Sequence, residues 1–592
     1  MSRYEICRSI GEECQEESEL AKLLDAKHIG VRFYDGFEPS GRMHIAQGIL
    51  KTINVNKCIE IGGTFIFWIA DWFALMNDKM GGSLSQIRKV GNYFIDVWKA
   101  TGMITDERVQ FIWSSDEINA RANEYWPLML DIASRFTISR IMKCCKIMGR
   151  NEDTLTCAQI IYPLMQCTDI FFLDIDICQL GLDQRKVNML AREYAQLSKR
   201  KSKPIILSHH MMMGLLEGQD KMSKSDPNSA IFMEDSREDI ERKIRQAWCP
   251  IDAANIKKNP LLDYLRTLVY HMPGKEMIIG DKVYKTIDDI EAGLSSGNIQ
   301  PDHLRSAVID LLDSMLVPVR KQITPIDISH HNDIGEVTPV VLDKDTILIP
   351  ILPIRAPSLD NMLHILATIR SNKKTIVLLQ DWSAKLYRDI NDVLSIYAKY
   401  VPEASIVLQS KLILSDPNAY WISVINKGRS IKLWDMIKID RTKIKEEPCN
   451  QVIAALMLMV DIETIRAGTV ILYDKKFSSI ISSIGASISY VDTLIPTLLL
   501  PCKDSDFMGT KTKIFKCYCP PNTVEGNIII DLARLIIQYV GHDTIRIHRR
   551  EQDDVCIMTI DELIHRYEEI HPADLKMSVQ NALYDIHSKM ME

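Results

Sequence analysis

Two lysines, two serines and a methionine run together at Lys221-Met222-Ser223-Lys224-Ser225, after the approach Gly214-Leu215-Leu216-Glu217-Gly218-Gln219. A stretch this polar and cationic is poor core material. Its lysines can neutralise charge that builds on a transferring phosphoryl group, and its hydroxyls add donors. Taken by itself, a basic pair is as well explained by a solvated loop. A second candidate lies far upstream, where His44-Ile45-Ala46-Gln47 follows the turn Glu38-Pro39-Ser40-Gly41. A lone histidine is more often structural than catalytic, but a tight turn leading into a helix N-terminus is where backbone donors meet a phosphate. In a third stretch, Tyr162, Gln166 and Asp169 fall at i, i+4 and i+7 on one helical face. Such a polar stripe ordinarily faces water. Here Ile160, Ile161, Leu164, Met165, Ile170 and Phe171 surround it, so it is expected to line a pocket, with Gly181-Leu182-Asp183-Gln184-Arg185-Lys186 just downstream.

These residues need a frame. Charged and apolar positions interleave from about Arg3 to Lys27, which predicts a helix. Val31 to Phe37 is β-prone, and a helix opens near His44. Thr64 to Ala70 and Val109 to Trp113 read as further strands, with a helix from about Ser83 to Lys99 between them. Strands alternating with helices predict an α/β fold with a parallel, doubly wound sheet whose ligands sit at the carboxyl ends of the strands. After the lysine loop, Ser236 to Trp248 is expected to be helical, and residues 249–322 carry two or three more helices, one from Pro301 onward.

The chain of 592 residues has room for about four ordinary domains. With 46% hydrophobic and 25% charged residues it has the make-up of a soluble globular protein. The longest apolar runs stop at Asp71 and Asp461, short of membrane-spanning length, so no membrane role is expected. The N-terminus passes quickly into acidic residues and resembles neither a signal nor a transit peptide. Fourteen cysteines show no CxxC pair and no zinc spacing, which predicts a reducing, cytoplasmic location and no metal site. A net charge of −7 argues against indiscriminate nucleic-acid binding, though not against a local basic face.

Together the lysine loop, the His44 turn and the spacing from Tyr162 to Gln184 resemble tyrosyl-tRNA synthetases of the archaeal and eukaryotic type, members of class I, over residues 28–320. The resemblance implies a class I Rossmann-like sheet joined to a helical anticodon-binding domain. It implies that Tyr34 and Asp169 hold the substrate phenol, and that Tyr162, Gln166 and Gln184 hold its ammonium group. ATP with Mg2+ would enter as a substrate, against Gly36, Ser40, Gly41, His44, Gln47, Lys221, Met222, Ser223, Lys224 and Ser225, with no tightly bound cofactor. His44, Gln47, Lys221 and Lys224 would carry the chemistry. Gln47 stands where the family motif ends in a histidine; it can donate hydrogen bonds to a phosphate but cannot become a cation. Trp72 and Phe73 replace the Leu and His common in relatives, which predicts a bulkier, more apolar pocket wall. A hydroxyl and a carboxylate paired in an apolar pocket reject phenylalanine by about 10⁴ to 10⁵, an effect for which this enzyme class is itself the standard example. Arg140, Lys143, Lys146 and Arg150 form a basic helical face, and Lys199-Arg200-Lys201 with Lys203 a second cluster; each is either solvated surface or a contact for the tRNA acceptor stem.

The second half repeats the first in worn form. Cys157-Ala158-Gln159-Ile160-Ile161 matches Cys449-Asn450-Gln451-Val452-Ile453; Asp71-Trp72 is echoed by Asp381-Trp382, Cys249-Pro250 by Cys519-Pro520, and Pro301 by Pro572. Tyr162 becomes Ala454, Gln166 becomes Leu458, and Phe507 stands where Lys221 should be, so the copy is expected to be non-catalytic. In the family an Asp two residues after the domain's Pro reads the anticodon. The copy keeps it in His571-Pro572-Ala573-Asp574-Leu575-Lys576, whereas the first half has His303 there. His571, Asp574 and Lys576 are therefore the expected tRNA contacts. The resulting division is 1–235 catalytic, 236–322 helical with a degenerate reader, 323–346 linker, 347–512 degenerate Rossmann-like and 513–592 helical anticodon-binding. Double-length kinetoplastid enzymes of this family show the same plan, an intramolecular pseudo-dimer. That implies a monomer that mimics a homodimer and takes L-tyrosine, ATP and tRNA(Tyr). Two rivals are a tryptophan-specific synthetase and a non-catalytic RNA-binding or regulatory paralogue.

Overall fold

The protein is described by a computed structural model, save for residues 148–151, 223–225, 227, 271–273, 327–339, 353–358, 370–373, 384–389, 402–403, 437–445, 473–480, 482, 491–507, 541–544, 550–552 and 592. Ser223, Lys224, Ser225, Arg150 and Phe507 thus lie outside the described residues, as do most of the expected linker and the side chain of Lys146. The chain forms two compact units. One comprises Met1–Val337 with Ile425–Cys449; the other comprises Thr338–Val424 with Asn450–Glu592.

In the first unit the strands are β1 (Glu13–Gln15), β2 (Arg32–Phe37), β3 (Thr64–Ile69), β4 (Val109–Trp113), β5 (Ile177–Cys178) and β6 (Ile205–Ser208). They form one sheet in the order β1-β6-β5-β2-β3-β4, parallel except for β1. Tyr34 lies on the central strand β2, beside Ile66 of β3 and Cys178 of β5. The expected helix from Arg3 to Lys27 is instead two helices, Arg3–Arg8 and Glu17–Ala26, with β1 between them. Two residues enforce the break. A Cβ on Gly11 would collide with Leu207 of β6, and Glu16 takes a left-handed φ of 62°.

Beyond the turn at Gly41, where φ is +60°, the chain makes a π-helical turn, Ala46–Leu50, before the helix Lys51–Glu60. The helix Cys157–Phe172 starts from a capping box of Thr156 and Gln159 and packs against the helices Ala122–Arg135 and Arg185–Leu197. Tyr162 and Gln166 of this helix line the cavity described below, whereas Asp169 meets Tyr125 of the first of those neighbours. After the lysine loop come the helices Arg237–Gln246, capped by Ser236, Pro260–Leu268, Ile287–Ser295 and Pro301–Gln322. Between the second and third lies a hairpin, β7 (Met277–Ile279) and β8 (Lys282–Tyr284), whose strands are too short to show a sequence period.

The second unit repeats the plan. Strands β9 (Asp343–Ile351), β10 (Lys374–Leu379), β11 (Ser405–Leu408), β12 (Ala467–Leu472) and β13 (Ser487–Tyr490) form a parallel sheet ordered β11-β10-β9-β12-β13, which matches β4-β3-β2-β5-β6. Helices Ile528–Val540, Ile560–His565 and Pro572–Met591 follow, with their own hairpin β14 (Ile545–Ile547) and β15 (Val555–Ile557). The register fixes equivalences. Thr64 pairs with Arg32 and Lys374 with Thr346, so Tyr34 corresponds to Leu348. One contact is reproduced atom for atom. The Tyr125 hydroxyl donates to Asp169 Oδ1 at 2.7 Å and lies 3.2 Å from the Met165 carbonyl; Tyr420 does the same to Asp461 and Met457 at 2.7 and 3.2 Å.

Burial pushes the Asp461 carboxyl up to about 7, although the Tyr420 and Gln409 donors pull it down. The unfolded chain would ionise this group near 3.8. The neutral folded form is therefore at no disadvantage below about pH 4, and stability falls as pH rises from there to about 7. Asp461→Asn cannot ionise. Its stability relative to the parent protein, measured by urea denaturation at pH 4.5 and 7.5, should improve at the higher pH; a pH-independent difference would contradict the buried neutral acid.

Candidate functional site

A cavity of about 400 Å³ opens at the carboxyl end of β2. It is lined by Gly36, Glu38, Ser40, His44, Gln47, Tyr162, Gln166, Gln184, Lys221 and Met222, among others, so most of the expected ligand residues share one space. Beneath it lies the phenol pair. Tyr34 is 1% and Asp169 0% exposed, with the Tyr34 hydroxyl 3.4 Å from Asp169 Oδ2. A Cβ on Gly36 would stand 2.7 Å from that hydroxyl, so the absence of a side chain there lets the floor come up under the cavity. Burial raises the Asp169 carboxyl well above the carboxylate range, against the pull of the Tyr125 and Tyr34 hydroxyls. Burial likewise raises Tyr34. The pair is a buried hydrogen-bonding device, suited to exchange bonds with another hydroxyl.

One wall is set out to receive a cation. Gln166 Nε2 approaches Gln184 Oε1 at 3.4 Å, while Gln166 Oε1 is buried with no partner among the described residues. A buried carbonyl oxygen without a donor costs about 1–3 kcal/mol, which an ammonium group would recover. The Tyr162 hydroxyl donates to Glu38 Oε1 at 2.6 Å, and Asn77 Nδ2 donates to the same oxygen at 2.7 Å. Phe73 meets the Tyr162 ring edge-on, its centroid 4.9 Å away, and Trp72 stacks on Trp126. Phe73 thus packs behind Tyr162, and neither Trp72 nor Phe73 lines the cavity itself.

Another side of the cavity carries His44, Gln47 and Lys221. The Gln47 backbone N–H donates to the His44 carbonyl at 2.9 Å and approaches His44 Nδ1 at 3.4 Å. Trp98 Nε1 holds the Gln47 carbonyl at 2.8 Å. Gln47 Oε1 is buried and has no partner among the described residues. Lys221 is half-exposed and pairs with Asp183 at 3.2 Å. The strand leading to its loop is fastened from behind: Met213 N donates to Asp263 Oδ2, and His210 bridges Asp263 and Glu12 at 2.8 and 2.7 Å. Burial pushes the His210 ring down, but the two carboxylates outweigh it and raise it to about 9.

Several site residues carried no signal in the sequence. Lys51, 5% exposed, lies 2.5 Å from Asp35 Oδ2 and donates to Gln179 Oε1 at 2.9 Å; Gln179 in turn bonds His209. All but Gln179 line the cavity. Lys51 sits one helical turn beyond Gln47, a spacing that places both on one face. Tyr125 was discoverable from the echo of Tyr125-Trp126 in Tyr420-Trp421.

The basic face does not stand free. Arg140 is tied to Glu193 by bonds of 2.9 and 2.7 Å, so it is occupied inside the unit, whereas Lys143 is exposed. In the second unit Asp574 lies in the first turn of the helix Pro572–Met591 and is 8% exposed. Lys576 donates to the Phe515 carbonyl at 3.0 Å, and His571 is exposed, as is His303 in the first unit. The copied pocket has lost its polarity. Leu348, Ala454 and Leu458 replace Tyr34, Tyr162 and Gln166, and Gln409 Nε2 occupies Asp461 Oδ2 at 2.7 Å. Among the described residues, no cluster of three His, Cys, Asp or Glu side chains is placed to hold a metal ion, and no helix is long and apolar enough to cross a membrane.

The family model described as tRNA synthetases class I (W and Y) matches residues 27–317. The chain is 54% identical over 325 residues to "Tyrosine--tRNA ligase 1, cytoplasmic" of Arabidopsis thaliana, covering 54% of this chain and 83% of that protein. It is 38% identical over 304 residues to the tyrosine--tRNA ligase of Picrophilus torridus, covering 49% and 90%. Over 99% of its length it resembles the solved Leishmania major tyrosyl-tRNA synthetase in complex with tyrosinol, with a TM-score of 0.87, 39% identity and 95% of that chain covered.

The Lys51–Asp35 pair yields a stability test. Lys51→Met leaves a buried carboxylate without its cation and should cost on the order of 3–5 kcal/mol in denaturant unfolding. Adding Asp35→Asn should restore most of the loss. A single variant as stable as the parent would show the pair to be dispensable.

Proposed function

Because this chain belongs to the tyrosyl-tRNA synthetases, we propose that it charges tRNA(Tyr) from a single active site in its first half, with the anticodon read by its second. The class uses ATP, and the observation that carries the reading is the cavity over the Tyr34–Asp169 pair. One space combines a phenol-sized hydrogen-bonding floor, an unpaired amide oxygen for an ammonium group and a phosphate-facing turn.

The reaction runs in two steps. A tyrosine carboxylate oxygen attacks the α-phosphorus of ATP, which arrives with Mg2+ as its counterion; the bond to the bridging oxygen breaks and pyrophosphate leaves. A terminal hydroxyl of the tRNA then attacks the carbonyl carbon of the adenylate, its proton passes to the departing phosphate, and AMP leaves with the bonding electrons. Tyr34 and Asp169 orient the ring, and Gln166, Gln184 and Tyr162 fix the ammonium group, so the carboxylate faces the His44 turn. His44, the Gln47 side-chain amide and Lys221, with Lys224, stabilise charge developing on the phosphates, which is positioning and electrostatics rather than covalent catalysis. Gly36, Ser40, Gly41, Met222, Ser223 and Ser225 complete the ATP side. A tryptophan-specific enzyme would have no use for the Tyr34–Asp169 pair, and the loss of polarity from the second pocket supports one site per chain.

Asp574, with His571, contacts the anticodon, and Lys143 the acceptor stem. Arg140 and Lys576 reach RNA only by giving up their present partners. Working as a monomer in the cytoplasm completes the reading; a solution mass of two chains would overturn the monomer.

Tyrosine-dependent exchange of pyrophosphate into ATP tests the core claim. Lys221→Ala combined with Lys224→Ala should slow exchange by about 10²-fold or more while tyrosine affinity stays within a few-fold. Undiminished exchange would remove the mechanism. For the tRNA half, Asp574→Ala should impair aminoacylation and leave exchange intact, whereas His303→Ala should do little. Damage from His303→Ala instead would reverse the assignment of the anticodon reader.

A further inference from the structure

The loop Asp78-Lys79-Met80-Gly81-Gly82 borders the cavity, and Lys79 lines it. Its backbone is unusual. Asp78, Met80, Gly81 and Gly82 take φ of 52°, 52°, 66° and 76°. For Asp78 and Met80, which carry side chains, the left-handed region costs about 1–2 kcal/mol each, so the conformation persists only if its surroundings hold it.

On the pocket side the loop is held by Asn77 on Glu38 and by the Gly41 amide on Met80 Sδ at 3.5 Å. On the other side it is held by Arg429, from the second half of the sequence. Arg429 Nε donates to Asp78 Oδ1 at 3.0 Å, Nη2 pairs with the same oxygen, and a Cβ on Gly82 would collide with the guanidinium. Arg429 Nη1 is steadied by Asn426 Oδ1 at 3.0 Å. The chain carrying Arg429 is anchored in the same unit. Cys157 N donates to the Ile431 carbonyl at 3.0 Å, Leu433 N to the Leu155 carbonyl at 2.8 Å, and Gly428 lies against the backbone of Ala158.

We propose that Arg429 is a positioning residue for adenylate formation, clamping Asp78–Gly82 so that Lys79 stays at the rim of the ATP-facing cavity. A half-exposed ion pair contributes only about 0–1 kcal/mol by its charges. Arg429 matters because it holds a strained loop from the one side the pocket does not. The first half's chemistry therefore depends on a side chain from the half that has lost its own. This rests on the synthetase reading above.

The test is pyrophosphate exchange with the full-length protein, with tyrosine affinity and thermal midpoint measured alongside. Arg429→Ala should lower the exchange kcat by about tenfold and leave tyrosine affinity within twofold. Arg429→Lys, which keeps a cation beside Asp78, should recover part of the rate. Lys79→Ala should be impaired to a similar degree, and the Lys79→Ala/Arg429→Ala double variant should be little worse than either, because both act through one contact. Wild-type exchange in Arg429→Ala overturns the proposal, as does a loss matched by tyrosine affinity or thermal midpoint. An unimpaired Lys79→Ala beside a damaged Arg429→Ala also overturns it. A parent protein with no tyrosine-dependent exchange would instead sink the synthetase reading itself.

Discussion

A carboxyl group kept from water by two phenolic hydroxyls sets the geometry of the first unit's pocket. Asp169 is fully buried, and Tyr125 and Tyr34 are its hydrogen-bonding neighbours from a helix and a central strand. An acid in that position without donors would cost several kcal/mol, so the helix Cys157–Phe172 must keep one rotation and one height against both neighbours. Fixing Asp169 fixes the residues above it. Gln166 and Tyr162 lie one and two turns back along the same face, at the level of the cavity, which is why a single buried acid decides where these two lining residues stand.

The second unit separates what that contact does for the fold from what it does for a ligand. Tyr420 and Asp461 keep the scaffold bond at the same length as Tyr125 and Asp169. The ligand side has changed: the Tyr34 position is Leu348, and the other carboxyl oxygen is taken by Gln409. Gln409 is itself held by the Ser383 hydroxyl at 2.9 Å, so the acid is satisfied entirely from within. Apolar Ala454 and Leu458 complete the closure. A half-satisfied buried acid would be a standing cost once no substrate arrived, and the glutamine removes it.

Much of this was legible in the sequence because the signals were local. Strands β2, β3 and β4 are β-branched and aromatic runs bounded by turns, and the polar stripe at Tyr162, Gln166 and Asp169 stands out against its apolar neighbours. What escaped was set by tertiary context. The strand Glu13–Gln15 is three residues of ordinary polar chain that become a strand only beside β6. Lys51 reads as a solvated helix charge until Asp35 is placed opposite it, and Arg140 reads as an open cation until Glu193 claims it. Burial of a lysine is a property of its partner's position, which no periodicity reports.

The segment Ile425–Cys449 is the least legible element and the most telling. It belongs by sequence to the worn copy, yet its backbone pairs with the chain around the helix Cys157–Phe172: Ile431 and Leu433 with Cys157 and Leu155, Glu447 with Ile138, and Cys449 with Phe136. Each such bond contributes about 1 kcal/mol net, and an amide buried without it costs more. Cys157 is the first residue of the helix that carries Tyr162, Gln166 and Asp169. Its amide belongs to a helix end, where the helix itself supplies no acceptor. The acceptor comes from Ile431, so the start of the ligand-bearing helix is completed by chain from the other half. The second half of the sequence is then constrained as well, because the helix Cys157–Phe172 takes part of its frame from it.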